Sequence, residues 1–337
     1  MALVLMASLG ALAGAPLGSR SVSFWYYPGA YGGSDINATL AMLAEHKGVT
    51  TSVMLGCGHN IDAQAGTIAP DPMQAALCAE TAAGLLALDI KVELVLHGKG
   101  IVNDRTWFKN ATANAQELVA LGKPYKASGW NLDLEPPKDS TAADAQLYAA
   151  FCKVAQPILN AGSMRLTLAV ATWDPMIKNN SLLAPVVDRL LDMETYNADS
   201  MAGWLNGDGF GGYYNKLVNP SVPRDKVGPG LGCWPAKCGN HSCWTTTAAS
   251  GAERMTRMIA DNVPEVALFR IIQVPKRPDL QWPEDWWWPL LAKFSSSTLT
   301  PSSGMLTVDE DLERQQQRSE AQPPTTASAV SGSMRWE

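Results

Sequence analysis

Ser128-Gly129-Trp130-Asn131-Leu132-Asp133-Leu134-Glu135 alternates polar and apolar residues, and the phase of that alternation decides what must surround it. On a strand, side chains two apart share a face and rise about 7 Å from one to the next. Asn131, Asp133 and Glu135 therefore line one face, and Trp130, Leu132 and Leu134 the other. Helix-like segments on either side imply a covered strand, so the polar row points into an enclosed space. A buried carboxylate without partners costs several kcal/mol or is forced to hold a proton. Neighbouring carboxyls also resist ionising together, which lets one of them act as a general acid near neutral pH. Glu135, nearest the open end of the strand, is the candidate acid. Asp133, one layer deeper, tunes it and orients the reacting group.

Outward from this stretch the chain keeps a regular beat. Short apolar or β-branched runs begin at Ser21, Val49, Lys91, Ala127, Met164, Leu190, Lys226 and Val266. Helix-like stretches such as PMQAALCAETAAGLLALD lie between them, often opened by Ser, Asp or Pro and closed by Gly. Eight strands alternating with helices predict an α/β fold, a single (β/α)8 TIM barrel over residues 20–296, with its site at the C-terminal ends of the strands. An open doubly wound sheet usually carries a Gly-rich phosphate loop after its first strand, and FWYYPGAYGGSD is not one. Trp25 and Tyr26 on strand one, Trp173 after strand five and Trp234 after strand seven fall at the catalytic end as candidate substrate contacts. His59 and His97 also fall near strand ends, where a structural role outweighs a pocket role.

The chain ends and the composition bound the setting. Residues 1–15 form an apolar run too short for a membrane span, and Ala13-Gly14-Ala15 is a small-x-small cleavage pattern, so a signal peptide is expected. Asn37, Asn110, Asn179 and Asn240 each open an Asn-x-Ser/Thr acceptor for glycosylation. Six Cys, three of them in Cys233-WPAK-Cys238-GNHS-Cys243, fit disulfides better than zinc; Cys57 and Cys78 lie on neighbouring elements, but the pairing stays open. These features point to a secreted protein, or one of a lysosomal or vacuolar lumen. Residues 297–337, rich in Ser, Thr, Pro and Gln, read as a disordered or O-glycosylated tail. A net charge of −6 with no basic stripe argues against a nucleic-acid partner, and no segment suits a membrane span; a monomer is expected. Twelve Trp suit a site that stacks on flat ligands.

The row at 128–135 resembles the strand-four signature of glycoside hydrolase family 18, the chitinase-like barrels: Asp-Gly-x-Asp-x-Asp-x-Glu. Asp133 and Glu135 match, while Ser128 and Asn131 stand where that pattern has Asp. Asn131, with Lys99-Gly100 after strand three, is similar to the di-N-acetylchitobiase branch. Met193-Glu194-Thr195-Tyr196-Asn197 resembles the strand-six segment of the same family. The resemblance implies substrate-assisted cleavage of β-linked N-acetylglucosamine glycans, such as chitin oligomers or the N-glycan core. Glu135 would be acid and then base, and Asp133 and Tyr196 would hold the 2-acetamido group. Asn131 and Asn197 would touch substrate, and no metal or organic cofactor is implied. At strand eight, Gln273 is read as occupying or adjoining the place of the family's Trp, with Trp282 and Trp286–Trp288 either covering the sugar or packing the last helix. Two other readings stand beside this one: a lectin on the same barrel with catalysis lost, and a two-carboxylate glycosidase using Asp174 or Glu194.

Overall fold

Eight parallel strands close into a barrel in the computed structural model: β1 (Ser21–Tyr26), β2 (Ser52–Ile61), β3 (Lys91–His97), β4 (Gly129–Asp133), β5 (Arg165–Val170), β6 (Arg189–Asp192), β7 (Val227–Gly232) and β8 (Glu265–Gln273). Each pairs with the next, and β8 returns to pair with β1. All eight lie within a few residues of the expected runs. The structure describes residues 19–300 except 30–33, 63–65, 70, 137–138, 194–199, 207–213, 220, 234–245 and 276–280. The described residues from 19 to 299 form one compact unit; the expected signal peptide and nearly all of the expected tail lie outside the described residues. The unit runs slightly past residue 296, because Arg20 donates to Ser297 Oγ at 2.7 Å and Ser19 bridges to Thr298. Among the described residues no helix is long and apolar enough to cross a membrane.

Helices α1 (Ile36–Glu45), α2 (Pro72–Ala87), α3 (Ile101–Phe108), α4 (Ala111–Gly122) and α5 (Ala142–Ala161) cover the first half of the barrel. Their starts follow from local chemistry. Asp35 and Asp71 accept from the first free backbone N–H groups of α1 and α2, and Pro72 fills a position where no N–H is needed. Thr141 and Asp144 form a capping box on α5, and Arg105 of α3 grips the same Asp144 at 2.5 and 2.8 Å. A disulfide joins Cys57 on β2 to Cys78 on α2, which answers one pairing the sequence left open. Cys238 and Cys243 lie outside the described residues.

Inward-facing side chains stack in layers. At the bottom, Arg165 lies 2.6 Å from Glu93 and 2.7 Å from Glu265, and Arg189 reaches Glu265 at 3.1 Å. Gly129 makes room for this arginine, since a Cβ there would come within 2.8 Å of Arg165 Cγ. Burial pushes the Glu265 carboxyl up, but Arg165, Arg189 and Ser23 outweigh it and hold it at about 2, below its ordinary 4.5. That stabilisation is present above the ordinary carboxylate range and is lost as pH falls toward about 2. Arg165→Met, which leaves two buried carboxylates facing each other, is expected to cost about 2–3 kcal/mol. This sits at or below the low end for a broken buried pair because the Arg165 side chain is 26% exposed. The check is urea unfolding, where an unchanged midpoint would contradict the role.

In the middle layer, the Asn131 side-chain amide donates to Thr167 Oγ1 at 3.0 Å, while its carbonyl accepts from Trp25 Nε1 at 3.4 Å. On the outer face of β4, Trp130 donates to the Leu118 carbonyl of α4 at 2.9 Å, with Leu132 and Leu134 fully buried beside it. The alternation read at 128–135 is therefore the one that folds.

Candidate active site

Pairing of β4 stops at Asp133, so Glu135 stands two residues beyond the last hydrogen-bonded position rather than on the strand itself. The extended chain still keeps phase. Asp133 is buried at the top of the barrel, and Glu135 rises above it, exposed at the mouth. The two carboxyls are close enough for the charge of Asp133 to act on Glu135. The Glu135 carboxyl is pushed from 4.5 to about 7. The first cause is the protein crowding around it, followed by the negative charge of Asp133; His97 pulls the other way. Asp133 Oδ1 is buried and has no hydrogen-bond partner among the described residues, leaving it available to a ligand.

His97, the direct neighbour of Asp133 across β3 and β4, places Nδ1 3.3 Å from Asp133 Oδ2. Tyr27 stacks on its imidazole with ring centres 5.9 Å apart. Gly56 permits this placement, since a Cβ there would fall 2.1 Å from the Tyr27 ring. Phe269 of β8 completes the aromatic wall, 6.4 Å from Tyr27 and 6.1 Å from Trp25.

Several expected residues lie elsewhere. Tyr26 is fully buried and faces outward toward Thr39 and Ser34, so the mouth-facing tyrosine on this segment is its neighbour Tyr27. Trp25 is inside the barrel but 1% exposed, beneath the mouth as floor rather than rim. Gln273 also points outward: its amide donates to the Trp282 carbonyl and to Met42 Sδ, both at 3.0 Å, and Phe269 is the β8 aromatic that lines the interior. Trp288 stacks on His46 with ring centres 4.0 Å apart, and Trp287 is buried beside it, so this pair packs the last helix. Trp173 follows β5 and is half-buried against the core. Asp174 is fully buried, accepting from Ser140 Oγ and the Met176 N–H, and cannot reach a sugar. His59 faces Trp130 and Tyr125 on the outer side, and burial together with His97 lowers it to about 4, leaving it neutral. Glu194, Tyr196, Asn197 and Trp234 lie outside the described residues.

At the same end of the barrel, a cleft of about 780 Å³ is lined by Ala142, Thr172, Pro175, Lys178 and Asn219. It contains neither Glu135 nor Asp133, so the acid pair, and not cavity size, locates the candidate site. Among the described residues no group of three or more His, Cys, Asp or Glu is placed to hold a metal ion.

No family model and no curated protein matches the sequence. Solved structures do match the fold. A chitinase from Chromobacterium violaceum superposes with a TM-score of 0.61 at 16% identity, covering 82% of this chain and 99% of its own. The spore cortex-lytic enzyme SleL of Bacillus cereus gives 0.61 at 14% identity, covering 84% of this chain and 76% of its own. A class V chitinase variant from Nicotiana tobaccum, in complex with NAG4, gives 0.57 at 11% identity over 74% of this chain and 94% of its own. At such identities the likeness is one of fold.

Proposed function

We propose that this chain is a glycoside hydrolase that cleaves β-linked N-acetylglucosamine-containing glycans, with Glu135 as acid and base. The observation that carries this reading is the placement of Glu135 just above buried Asp133 at the mouth of a closed parallel barrel, where the two carboxyls act on one another. Crowding by the protein and a like charge keep Glu135 protonated up to about pH 7, the state needed to donate to a leaving glycosidic oxygen. Neighbours of the same fold that are named as chitinases support the substrate class.

The chemistry follows from the atoms available. Glu135 passes its proton to the glycosidic oxygen as the bond from that oxygen to the anomeric carbon breaks. The acetamido oxygen of the same sugar then bonds to the anomeric carbon, so no second carboxylate is required as nucleophile. Asp133, through Oδ1, takes the acetamido N–H and balances the charge growing on that group, with Tyr196 as the expected second contact. Glu135, now ionised, removes a proton from the water that opens the cyclic intermediate and so regains its starting state. Tyr27 and Phe269 form the wall against which the sugar rests. Residues 1–15 and the Cys57–Cys78 bridge support a site of action outside the cell or in a lysosomal or vacuolar lumen.

The test is cleavage of N-acetylglucosamine tetramers, followed as kcat/KM against pH. The raised group must be protonated to act as the acid, so activity is expected to hold below about pH 7 and to fall above it. Tight binding of the oligomer without any cleavage would establish a lectin instead.

A further inference from the structure

His97 takes no part in the proton transfers above, yet its ring nitrogen lies 3.3 Å from the Asp133 carboxylate. It occupies the inward position next to Asp133 in the pairing of β3 with β4, so its backbone place is fixed by the barrel itself. Its Nδ1 lies 3.3 Å from Asp133 Oδ2, and the side chain is 29% exposed at the mouth. Tyr27 covers one ring face, and Gly56 leaves the space for Tyr27 to do so. The adjoining Gly98 donates its backbone N–H toward the Asp133 carbonyl at 3.4 Å, so side chain and backbone of one dipeptide both engage Asp133.

We propose that His97 is a positioning residue for the acid pair, holding Asp133 by one oxygen so that Oδ1 stays turned toward Glu135 and the reacting sugar. The assignment rests on the glycosidase reading for its catalytic consequence, but its geometry does not. The deeper neighbour of Asp133 on the same face, Asn131, is engaged with Thr167 and Trp25 in the layer below. His97 is therefore the polar side chain that faces Asp133 from the adjacent strand. Other titratable groups around it are Glu135 on the β4 side, His59 on β2, Tyr27 after β1, and Lys99 and Asp104 on the connection into α3. Asp104 is fully buried with its carboxylate against Gly98, and burial raises it to about 6.

Two consequences separate positioning from mere packing. Losing the grip on Asp133 misplaces the group that orients the sugar, which acts on kcat more than on KM. Losing His97 also removes the neighbour that lowers the Glu135 carboxyl, so the Glu135 midpoint moves above about 7. His97→Ala is expected to lower kcat by about ten- to a hundredfold, with KM changed by less than about threefold. His97→Gln keeps a donor but not the imidazole. It is expected to recover a large part of kcat while retaining the upward-shifted midpoint.

The experiment measures kcat and KM for N-acetylglucosamine tetramers across pH for the wild type and both variants. In parallel it follows the Glu135 carboxyl by carbon-13 NMR and the melting temperature. An upward Glu135 midpoint in both variants, with partial recovery of kcat in His97→Gln, supports the assignment. An unchanged midpoint with wild-type kcat overturns it, as does an equal loss in both variants that tracks a lowered melting temperature. If the wild type cleaves no glycan, the functional reading fails, and the NMR midpoints alone still decide whether His97 governs the pair.

Discussion

Glu135→Gln is expected to reduce kcat for chitin-oligomer hydrolysis by about two to four orders of magnitude while leaving oligomer affinity within a few fold. Gln matches Glu in size and keeps the polar contact at the mouth, so the groove and its aromatic wall persist. What disappears is the proton: an amide cannot deliver one to the leaving oxygen, nor take one from water in the second half. Glu135 lies beyond the paired part of β4 and is exposed, so the change should leave stability nearly untouched. Stopped hydrolysis with retained binding, measured by calorimetry on the same preparation, is the expected pair of results. Turnover within a few fold of wild type would remove Glu135 from the chemistry.

Asp133→Asn is expected to have the second largest effect, about a hundredfold in kcat, with a different signature. The amide keeps the shape of the side chain but drops the negative charge that steadies the developing positive charge on the acetamido group. It also removes the like charge that helps to hold the Glu135 proton. Crowding by the protein remains, so the Glu135 midpoint falls below about 7 and the basic limb of kcat/KM moves to lower pH. A limb that stays in place would show that Asp133 does not tune Glu135. The direction is opposite to that expected for His97→Ala, so the two neighbours of the acid are told apart by the sign of the shift.

Much of this was legible in the sequence because β4 alternates cleanly. Trp130, Leu132 and Leu134 could only belong to the buried helix-facing side, which placed Asn131, Asp133 and Glu135 inside. Strand one offered no such phase. SVSFWYY is apolar or aromatic on both faces toward its end, and the mouth-facing place falls to Tyr27 rather than Tyr26. At β8 the obstacle was a change of register: Phe24 pairs with Leu268 but Tyr26 with Ile271, so β8 carries an extra residue. Beyond it the phase flips, so Gln273 turns outward to Met42 and Phe269 is left as the interior aromatic. Two extra residues fall between Leu55 and His59 on β2, which leaves the alternation in phase, so His59 stays on the helix side with Leu55 while His97 on β3 faces in. No one-dimensional pattern announces which strand will bulge, because the extra residue is accommodated by packing between neighbours.

The account rests on Glu135 holding its proton to neutral pH because the protein crowds it and Asp133 stands beside it. A carbon-13 NMR titration of the Glu135 side-chain carboxyl, assigned by its absence from the Glu135→Gln spectrum, reads this directly. The expected midpoint is about 7. A midpoint near the ordinary 4.5 of a free glutamate would contradict the account.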